Sequence, residues 1–389
     1  MKHVQFPAAI LAISMTAAFA LADEAKLANE KPLRLTGFRA APNAACLSPD
    51  GRMMLYIRRE EADKPKGYAG SWSGSLCRLV LHEIRTGKET VLPSGPFTWA
   101  DPLQMLLSRQ PFDAKARTVL MYVSAGDNDD GIHDLRAEAM RVGVYTLATG
   151  RTAKLKPEGP IVFPAQGRDM LLLSLWDKRE GVGTVECVQA KGGDWAAGKM
   201  RTLGASGIGM AVSPAGTVAA VWKPPIKRGQ TQEWFLFDLK SDTRLADMPI
   251  SSQNTHMDDF PPVWSSDGRF LYYVDNLDAS AAATRRSARK GTRVWDVQAG
   301  KQAAELAGLV PMGTGPGGTV VLMGPGGGTV TVHDAAGARQ WSVEGLEGRI
   351  FWAGGGEVLL ERKTEDGQKG VFLADLVLPK QAIPPGQEK

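Results

Sequence analysis

A short repeated motif constrains the fold of this chain more than any other feature. Its clearest copy is "FPPVWSSDGRFLYYVDN", residues 260–276, in which the tripeptide Ser-Asp-Gly separates two apolar segments. Further copies begin at Cys46 with "CLSPDGRMMLYIRRE" and at Ala211 with "AVSPAGTVAAVWKPP". Because side chains alternate between the two faces of a strand, each copy predicts two strands joined by a tight turn.

The turn glycine of each copy measures the spacing of the repeat. Weaker copies begin at Phe163, Gly313 and Phe351, and the turn glycines are Gly51, Gly167, Gly216, Gly268, Gly318 and Gly356. Successive separations are 116, 49, 52, 50 and 38 residues. The first is about twice the others, which leaves room for one degenerate copy between residues 97 and 158. The pattern therefore predicts seven units.

A second hairpin follows the first in most units, again with an alternating strand and a turn. Its copies include "LVLHEIRTGKET", "VGVYTLATGRTA", "WFLFDLKSDTRL" and "TRVWDVQAGKQA". Each unit then holds four antiparallel strands, which is typical of a propeller blade, and no helical periodicity competes with this interpretation. We expect an all-β, seven-bladed β-propeller, with six or eight blades as the alternatives.

The last unit, residues 349–378, supplies only three clear strands. The segment "LRLTGF", Leu33–Phe38, is expected to add the fourth strand, so that the N-terminal part of the chain closes the ring. We therefore expect the propeller domain to span residues 33–378. Residues 379–389 are rich in proline and polar residues, which predicts a disordered tail.

The turn sequences resemble those of TolB-type and WD-repeat-like bacterial propellers, whose blades carry an aromatic residue, then Ser-Pro-Asp-Gly, then an alternating strand. "SPDGR" at Ser48–Arg52 matches in full, "WSSDGR" at Trp264–Arg269 lacks the proline, and "SPAG" at Ser213–Gly216 lacks the aspartate. The resemblance covers most of residues 40–378 and implies the fold rather than a function. TolB carries an additional domain ahead of its propeller, so a role in the Tol envelope system is not implied.

The N-terminal 22 residues have the pattern of a secretory signal peptide. Lys2 and His3 precede the apolar stretch "AAILAISMTAAFALA", and Ala20 and Ala22 form a small-x-small cleavage pattern. The stretch is shorter than the roughly 20 residues that span a bilayer, and no later segment is apolar enough. We expect cleavage after Ala22, a mature chain without a transmembrane segment, and a periplasmic or extracellular location.

The charge balance argues against a nucleic-acid-binding protein. The formal net charge is only +4 over 389 residues, without the dense basic stripe of such proteins. We expect a monomer that needs no cofactor and whose partner is a protein.

Metal-binding patterns are weak. His82, His133, His256 and His333 fall in four different predicted blades, and no pair has ligand spacing. His82 and His333 lie in alternating strands, where a hydrogen-bonded structural histidine is expected, whereas His256 lies in a loop. The acidic segment "GDNDDGIHD" offers Asp127, Asp129 and Asp134 as candidate calcium ligands, but its register does not match an EF-hand, and a solvated loop is the alternative.

Motifs of nucleophilic and phosphate chemistry are missing from the sequence. It contains no Gly-x-Ser-x-Gly elbow, and its glycine runs lack the Lys and Ser or Thr of a phosphate loop. Cys46, Cys77 and Cys187 fall in strands that are not direct neighbours, so we expect buried thiols rather than a disulfide.

Long connections between the second and third strands are predicted in blades one, two, four and five. These connections emerge at the end of the ring where blades are joined, and loops gathered on a rigid scaffold commonly carry recognition. Blades four and five are basic there, and blade one contributes two aromatic residues. The candidate binding residues are Tyr68, Trp72, Lys223, Lys227, Arg228, His256, Asp258, Arg285, Arg286, Arg289 and Lys290.

The sequence therefore favours an exported binding module that recognises a protein or other ligand through these loops. The alternative is a lactonase-like or hydrolase-like enzyme with carboxylates at the mouth of the channel. Such an enzyme would bring together two or more of Asp101, Glu158, His256, Asp258 and Asp259.

Overall fold

The computed structural model describes most of the chain after the predicted signal peptide. The described residues are 24–41, 43–64, 74–94, 97, 100–113, 115–124, 140–155, 162–166, 170–177, 182–191, 194–224, 232–250, 260–276, 290–324, 329–338, 340–343 and 346–379. The predicted signal peptide lies outside these ranges, as does the predicted tail apart from residue 379.

Almost all of the regular structure is β-strand. In chain order the elements are Glu24–Leu33 (β1); Ala45–Leu47 (β2), Met53–Glu61 (β3), Ser75–Glu83 (β4) and Glu89–Val91 (β5); the helix Asp101–Ser108 (α1); Thr118–Ser124 (β6), Met140–Thr146 (β7) and Arg151–Lys154 (β8); Val162–Gln166 (β9), Met170–Asp177 (β10), Val182–Lys191 (β11) and Asp194–Ser206 (β12); Ile208–Val212 (β13), Val218–Lys223 (β14), Glu233–Asp238 (β15) and Thr243–Met248 (β16); Val263–Trp264 (β17), Phe270–Asn276 (β18), Lys290–Asp296 (β19) and Lys301–Ala307 (β20); Val310–Thr314 (β21), Val320–Met323 (β22), Val330–His333 (β23) and Gln340–Val343 (β24); Arg349–Gly354 (β25), Glu357–Lys363 (β26) and Lys369–Val377 (β27). A short 3-10 turn, Pro316–Gly318, joins β21 to β22.

The predicted all-β propeller architecture is confirmed. Within each of the five smaller sheets the strands are antiparallel neighbours in chain order. The first strands of successive strand groups contact one another, as for β9 with β13, β13 with β17, β17 with β21 and β21 with β25. The first strands therefore surround a common axis. Adjacent sheets pack face to face: Trp234 of β15 stacks on Tyr273 of β18 with ring centroids 5.7 Å apart.

The prediction of seven separate blades is not met by the sheets as they are hydrogen-bonded. Among the described residues there are five blade-sized sheets, four with four strands and β6–β8 with three, and a sixth sheet with eight strands. The eight-stranded sheet forms because β1 pairs antiparallel with β27 and also parallel with β24, through Glu24 and Ala25. This double pairing merges β21–β24 and β25–β27 into one unit.

The predicted closing strand, Leu33–Phe38, is wrong in position, although a strand from the N-terminal part of the chain does pair with the last strand. The strand is Glu24–Leu33, and its register with β27 runs from Lys26 opposite Val377 to Leu33 opposite Val371. Phe38 instead forms a bridge with Arg58 of β3 and packs against the ring of Tyr56, centroid to centroid 5.7 Å. Half of the ten residues of the closing strand are polar and only Ala25 is buried, so the strand lacks the alternation that marks the other strands.

The helix α1 was also not expected from the sequence. It spans eight residues and lies in the region expected to hold the degenerate copy of the repeat. Leu103, Leu106 and Leu107 are its buried apolar residues, which is too short a stripe to show helical periodicity. No helix in the described ranges has both the length and the apolar character to cross a membrane.

The Ser-Asp-Gly motif forms the tight turn that was predicted from it. In the first copy, Ser48 Oγ donates to Asp50 Oδ1 at 2.6 Å and accepts from the backbone N–H of Met53 at 2.9 Å. Ser265 makes the same pair of bonds with Asp267 and Phe270, at 2.6 and 2.9 Å. The following glycine takes a positive φ, 64° at Gly51, which favours glycine over other residues.

The three cysteines are buried free thiols, as expected. Cys46 lies in β2 and Cys77 in β4, with β3 between them.

Candidate functional site

A cavity of about 880 Å³ lies at the centre of the propeller, where the first strands meet. One repeat position supplies much of its wall, the residue four places before each turn glycine. The lining residues at this position are Leu47, Val212, Trp264, Thr314 and Trp352. The same place in five of the repeats thus faces a shared interior, with a different side chain in most of them.

Bulges in three of the inner strands shape this wall. The register shifts between Gly209 and Ala211 in β13, between Pro311 and Gly313 in β21, and between Ile350 and Trp352 in β25. A bulge adds one residue to a strand and redirects its side chains. Met210 and Met312, the extra residues of β13 and β21, both line the cavity.

The inner strands approach one another very closely at one point. A Cβ atom added to Gly313 would lie 1.9 Å from the carbonyl oxygen of Ala353, so the contact between β21 and β25 requires glycine at this position. Close approach here keeps the wall continuous between the two halves of the eight-stranded sheet.

A buried arginine lies at one end of the cavity. Arg109 follows directly after α1, lines the cavity and is only 7% exposed. Its Nη1 lies 3.4 Å from the carbonyl oxygen of Gly209, and its Nη2 lies 3.5 Å from Met210 Sδ. The side chain of Arg109, which precedes the three-stranded sheet β6–β8 in the chain, therefore reaches the start of β13.

Two carboxylates lie at the other end, among the turns that follow the inner strands. Asp50 and Glu357 both line the cavity, and a Cβ atom on Gly51 would lie 2.7 Å from Glu357 Oε2. Burial raises the pKa of Glu357, and the nearby negative charges of Asp375 and Asp50 raise it further, against the opposing effect of Lys31. Glu357 is therefore an acid that is more easily protonated than an exposed glutamate.

Two tryptophans place unused hydrogen-bond donors in the wall. Trp264 and Trp352 are 6% and 7% exposed, and the indole Nε1 of each donates to no described atom. A buried N–H without an acceptor costs free energy, commonly 1–3 kcal/mol in order of magnitude. An acceptor group on a bound ligand would remove this cost.

Most of the residues predicted to bind from sequence lie outside the described ranges. These are Tyr68, Trp72, Lys227, Arg228, His256, Asp258, Arg285, Arg286 and Arg289, together with the candidate calcium ligands Asp127, Asp129 and Asp134. Lys223 is described and pairs with Glu233 at 3.2 Å outside the cavity wall. Lys290 begins β19 and pairs with Asn276 through the backbone.

The residues named for the enzyme alternative are likewise almost all outside the described ranges. Glu158, His256, Asp258 and Asp259 fall there, and Asp101 is described only as the first residue of α1. The carboxylates that do line the cavity, Asp50 and Glu357, were not among the residues singled out.

Both strand histidines are buried, and His333 has the hydrogen bond expected of it. His333 is buried, and its Nε2 lies 3.1 Å from Thr331 Oγ1. His82 is buried with its Nδ1 3.7 Å from Glu89 Oε1, and burial lowers its pKa.

The cavity residues differ in how far the sequence could have revealed them. Trp264, Asp50 and Trp352 occur inside the repeat motif, so the position before each turn glycine was a readable signal. Arg109 lies in the degenerate unit, where no motif marks it.

The comparisons with known proteins support the fold. No protein-family model and no curated protein matches this sequence. The β-propeller domain of the Trilobed protease from Pyrococcus furiosus, described as having an open velcro topology, is similar, with a TM-score of 0.50, 13% identity, and coverage of 95% of this chain and 99% of that one. This similarity shows the propeller fold.

Other solved propellers are more distantly similar. The β-propeller domain of Cps50 (Swd1) from Myceliophteria thermophila has a TM-score of 0.47 and 8% identity, and covers 90% of this chain and 99% of that one. TolB from Acinetobacter baumannii has a TM-score of 0.38 and 12% identity, and covers 85% of this chain and 82% of that one. The propeller fold that the TolB-type and WD-repeat-like turn sequences imply is confirmed by the similarity to the Trilobed protease domain.

The raised pKa of Glu357 predicts a pH-dependent stability difference. Because folding favours its protonated form, the ionised carboxylate destabilises the folded protein at pH 7. Glu357→Gln should therefore have a larger free energy of unfolding than the parent protein at pH 7, measured by urea titration. The gain should shrink as the pH falls through the raised pKa and vanish below the ordinary glutamate value of 4.5.

The control is Glu365→Gln, which makes the same change at an exposed residue in the turn before β27. It should leave the stability difference near zero at every pH. A Glu357→Gln variant that is less stable than the parent at pH 7 would contradict the electrostatic account of this end of the cavity.

Proposed function

We propose that the protein is an exported β-propeller binding module whose ligand occupies the axial cavity. One observation carries the proposal: a cavity of about 880 Å³ walled mainly by apolar side chains, with a few polar groups set at its two ends. Ligand sites of proteins commonly have this size and composition. Export is inferred from the signal-peptide pattern of residues 1–22.

The wall is built for contact with an apolar body. Trp264 and Trp352 offer large flat surfaces that lose little conformational entropy on binding. Met210 and Met312 offer flexible thioethers that adapt to irregular shapes. All four belong to strands held by neighbouring sheets, so the site is supported by rigid elements rather than by loops.

We also infer that the eight-stranded sheet counts as two blades, β21–β24 and β25–β27 with β1. The ring then has seven blades, in agreement with the spacing of the turn glycines. In a ring of this order the long connections predicted from sequence would surround the entrance near Arg109. They would then recognise a larger partner, such as a protein, or control access to the cavity.

Filling the cavity should abolish binding of a neutral apolar probe. Thr314 occupies the repeat position that holds tryptophan in two other blades, so Thr314→Trp adds an indole where the fold already tolerates one. The parent protein should bind N-phenyl-1-naphthylamine with a rise in probe fluorescence. Thr314→Trp should weaken that binding by about tenfold or more, because the indole occupies the ligand volume.

The control for this experiment is Thr243→Trp, which makes the same substitution at an exposed position of β16 away from the cavity. It should bind the probe as the parent protein does. Probe binding that is equal in Thr314→Trp and Thr243→Trp would place the apolar site elsewhere and contradict the proposal.

A second candidate function is hydrolysis, and one observation favours it. Asp50 and Glu357 lie together at one end of the cavity, and Glu357 has a raised pKa. A glutamate with a raised pKa beside a second carboxyl group is a suitable pair for general acid and general base catalysis. In this scheme Asp50 would activate a water molecule and Glu357 would protonate the leaving group of an ester or lactone.

The enzyme candidate makes a separate kinetic prediction. The parent protein should turn over members of a panel of lactones and aryl esters, and Asp50→Asn and Glu357→Gln should each lower the rate by about 100-fold or more. Binding of N-phenyl-1-naphthylamine should survive in both variants. Turnover that is unaffected by either substitution, or no turnover in the parent protein, would rule out this pair as the catalytic acid and base.

A further inference from the structure

The carboxylate of Glu357 reaches the cavity without a partner of its own. Glu357 is half-buried in the wall, and within the described ranges its carboxylate forms no hydrogen bond and no ion pair. The carboxylate lies against the turn between β2 and β3, since a Cβ atom on Gly51 would be 2.7 Å from Oε2 and 3.1 Å from Oε1. An enclosed charge without a partner is unfavourable, and a cationic group on a ligand would supply the partner.

The neighbouring charges leave this end of the cavity negative. Glu357 lies directly opposite Asp375 of β27, so the two carboxylates share one face of the sheet. Lys31 of β1 is the nearby positive charge, but it forms no ion pair with Glu357. Arg52 lies 3.8 Å from Asp50, and because its side chain is exposed, solvent screens its charge. A positive ligand group would therefore be attracted to this end.

The indole of Trp352 lies next to the Glu357 side chain. A Cβ atom on Gly354 would be 2.7 Å from both Cζ2 and Cη2 of Trp352, so the indole fills the space above that glycine. Gly354 is directly opposite Glu357, which makes the ring and the carboxylate neighbours in the cavity wall. The indole Nε1 also has no acceptor among the described residues. Tryptophan attracts cations more strongly than the other aromatic side chains, so an ammonium group at Glu357 would gain a second favourable contact.

The rest of the cavity wall suits the apolar body of such a ligand, because Met210, Trp264 and Met312 line it as well. We propose that the ligand is a cationic amphiphile, an amine with an extended apolar body, whose ammonium group binds at Glu357 beside Trp352. This inference rests on the proposed function of the cavity as the ligand site. It adds the chemical class of the ligand and assigns Glu357 as the residue that selects for positive charge.

The test compares three competitors that share one alkyl chain and differ in their head group. Decylamine, decan-1-ol and decanoate are titrated at pH 7.5, below their micelle-forming concentrations, against protein loaded with N-phenyl-1-naphthylamine. In the parent protein decylamine should displace the probe at least tenfold more effectively than decanol, with decanoate the weakest. A charge-assisted hydrogen bond from the ammonium to the carboxylate, with a cation–π contact beside it, supports a difference of this size.

Neutralising Glu357 should remove the preference for the amine. In Glu357→Gln the ratio of decylamine to decanol affinity should fall close to one, and because both competitors are measured on the same variant, a general change in affinity cancels. The matched control, Glu365→Gln, changes an exposed glutamate and should keep the full ratio. The urea titrations of these two variants also show whether each is folded.

The pH dependence of the parent protein gives a second measurement that needs no variant. Protonation removes the charge of Glu357, and its raised pKa places this loss above the ordinary glutamate value of 4.5. Decylamine stays an ammonium ion throughout, because alkylamines lose their proton only near pH 10. The ratio of decylamine to decanol affinity should therefore fall as the pH is lowered from 7.5 to 4.5, and Glu357→Gln should show no such fall.

Three results would each contradict a different step. Failure of the parent protein to bind the neutral probe would remove the proposed function itself. Normal probe binding with decylamine no better than decanol, or with decanoate the strongest competitor, would overturn the cationic ligand alone. A decylamine preference that survives in Glu357→Gln, or that does not change with pH in the parent protein, would overturn the role of Glu357.

Discussion

The backbone pairing of β1 with β27 is the interaction on which the rest of the structure depends. It joins the beginning of the described chain to its last strand, and the parallel contact with β24 ties the same strand to the preceding unit. A row of twisted sheets has two open edges, whereas a closed ring leaves only short, protected ones. Closure also forces the inner strands toward a common axis, so the cavity exists only in the closed ring. A segment with only one buried side chain can perform this task because the pairing uses backbone groups.

The inner strands lie close together around the axis, so sequence differences between the repeats at one position change the lining of the cavity. Five inner strands contribute one residue each at the same repeat position, yet the side chains range from Thr314 to Trp264 and Trp352. Bulges redirect the strands, and Gly313 allows β21 to lie against β25. The result is a cavity with aromatic and thioether walls, a guanidinium at one end and carboxylates at the other. The size of this cavity and its mainly apolar wall underlie the binding proposal.

The features that could be predicted from sequence are those encoded by local contacts. The Ser-Asp-Gly turns are held by hydrogen bonds within about five residues, as at Ser48 and Ser265. Each copy of the motif therefore predicted a hairpin from local sequence alone. The closing strand was misplaced by nine residues because its partners lie more than 300 residues away and only one of its side chains is buried. Arg109 was missed because it follows α1 in the degenerate unit, where no repeat motif marks its position. The cavity carboxylates were missed because Asp50 was interpreted only as a turn residue.

Ring closure can be measured through one buried position of the closing strand. Ala25 is fully buried against β24, whereas its neighbour Lys26 is exposed, so the same new residue can be placed on either face. Urea unfolding of Ala25→Asp should show a free energy of unfolding lower by about 3 kcal/mol or more, the cost of an unpaired buried charge, while Lys26→Asp should change it by about 0.5 kcal/mol or less. Equal stability of the two variants would show that the strand does not hold the ring together, and would contradict the account of the axial cavity built on that closure.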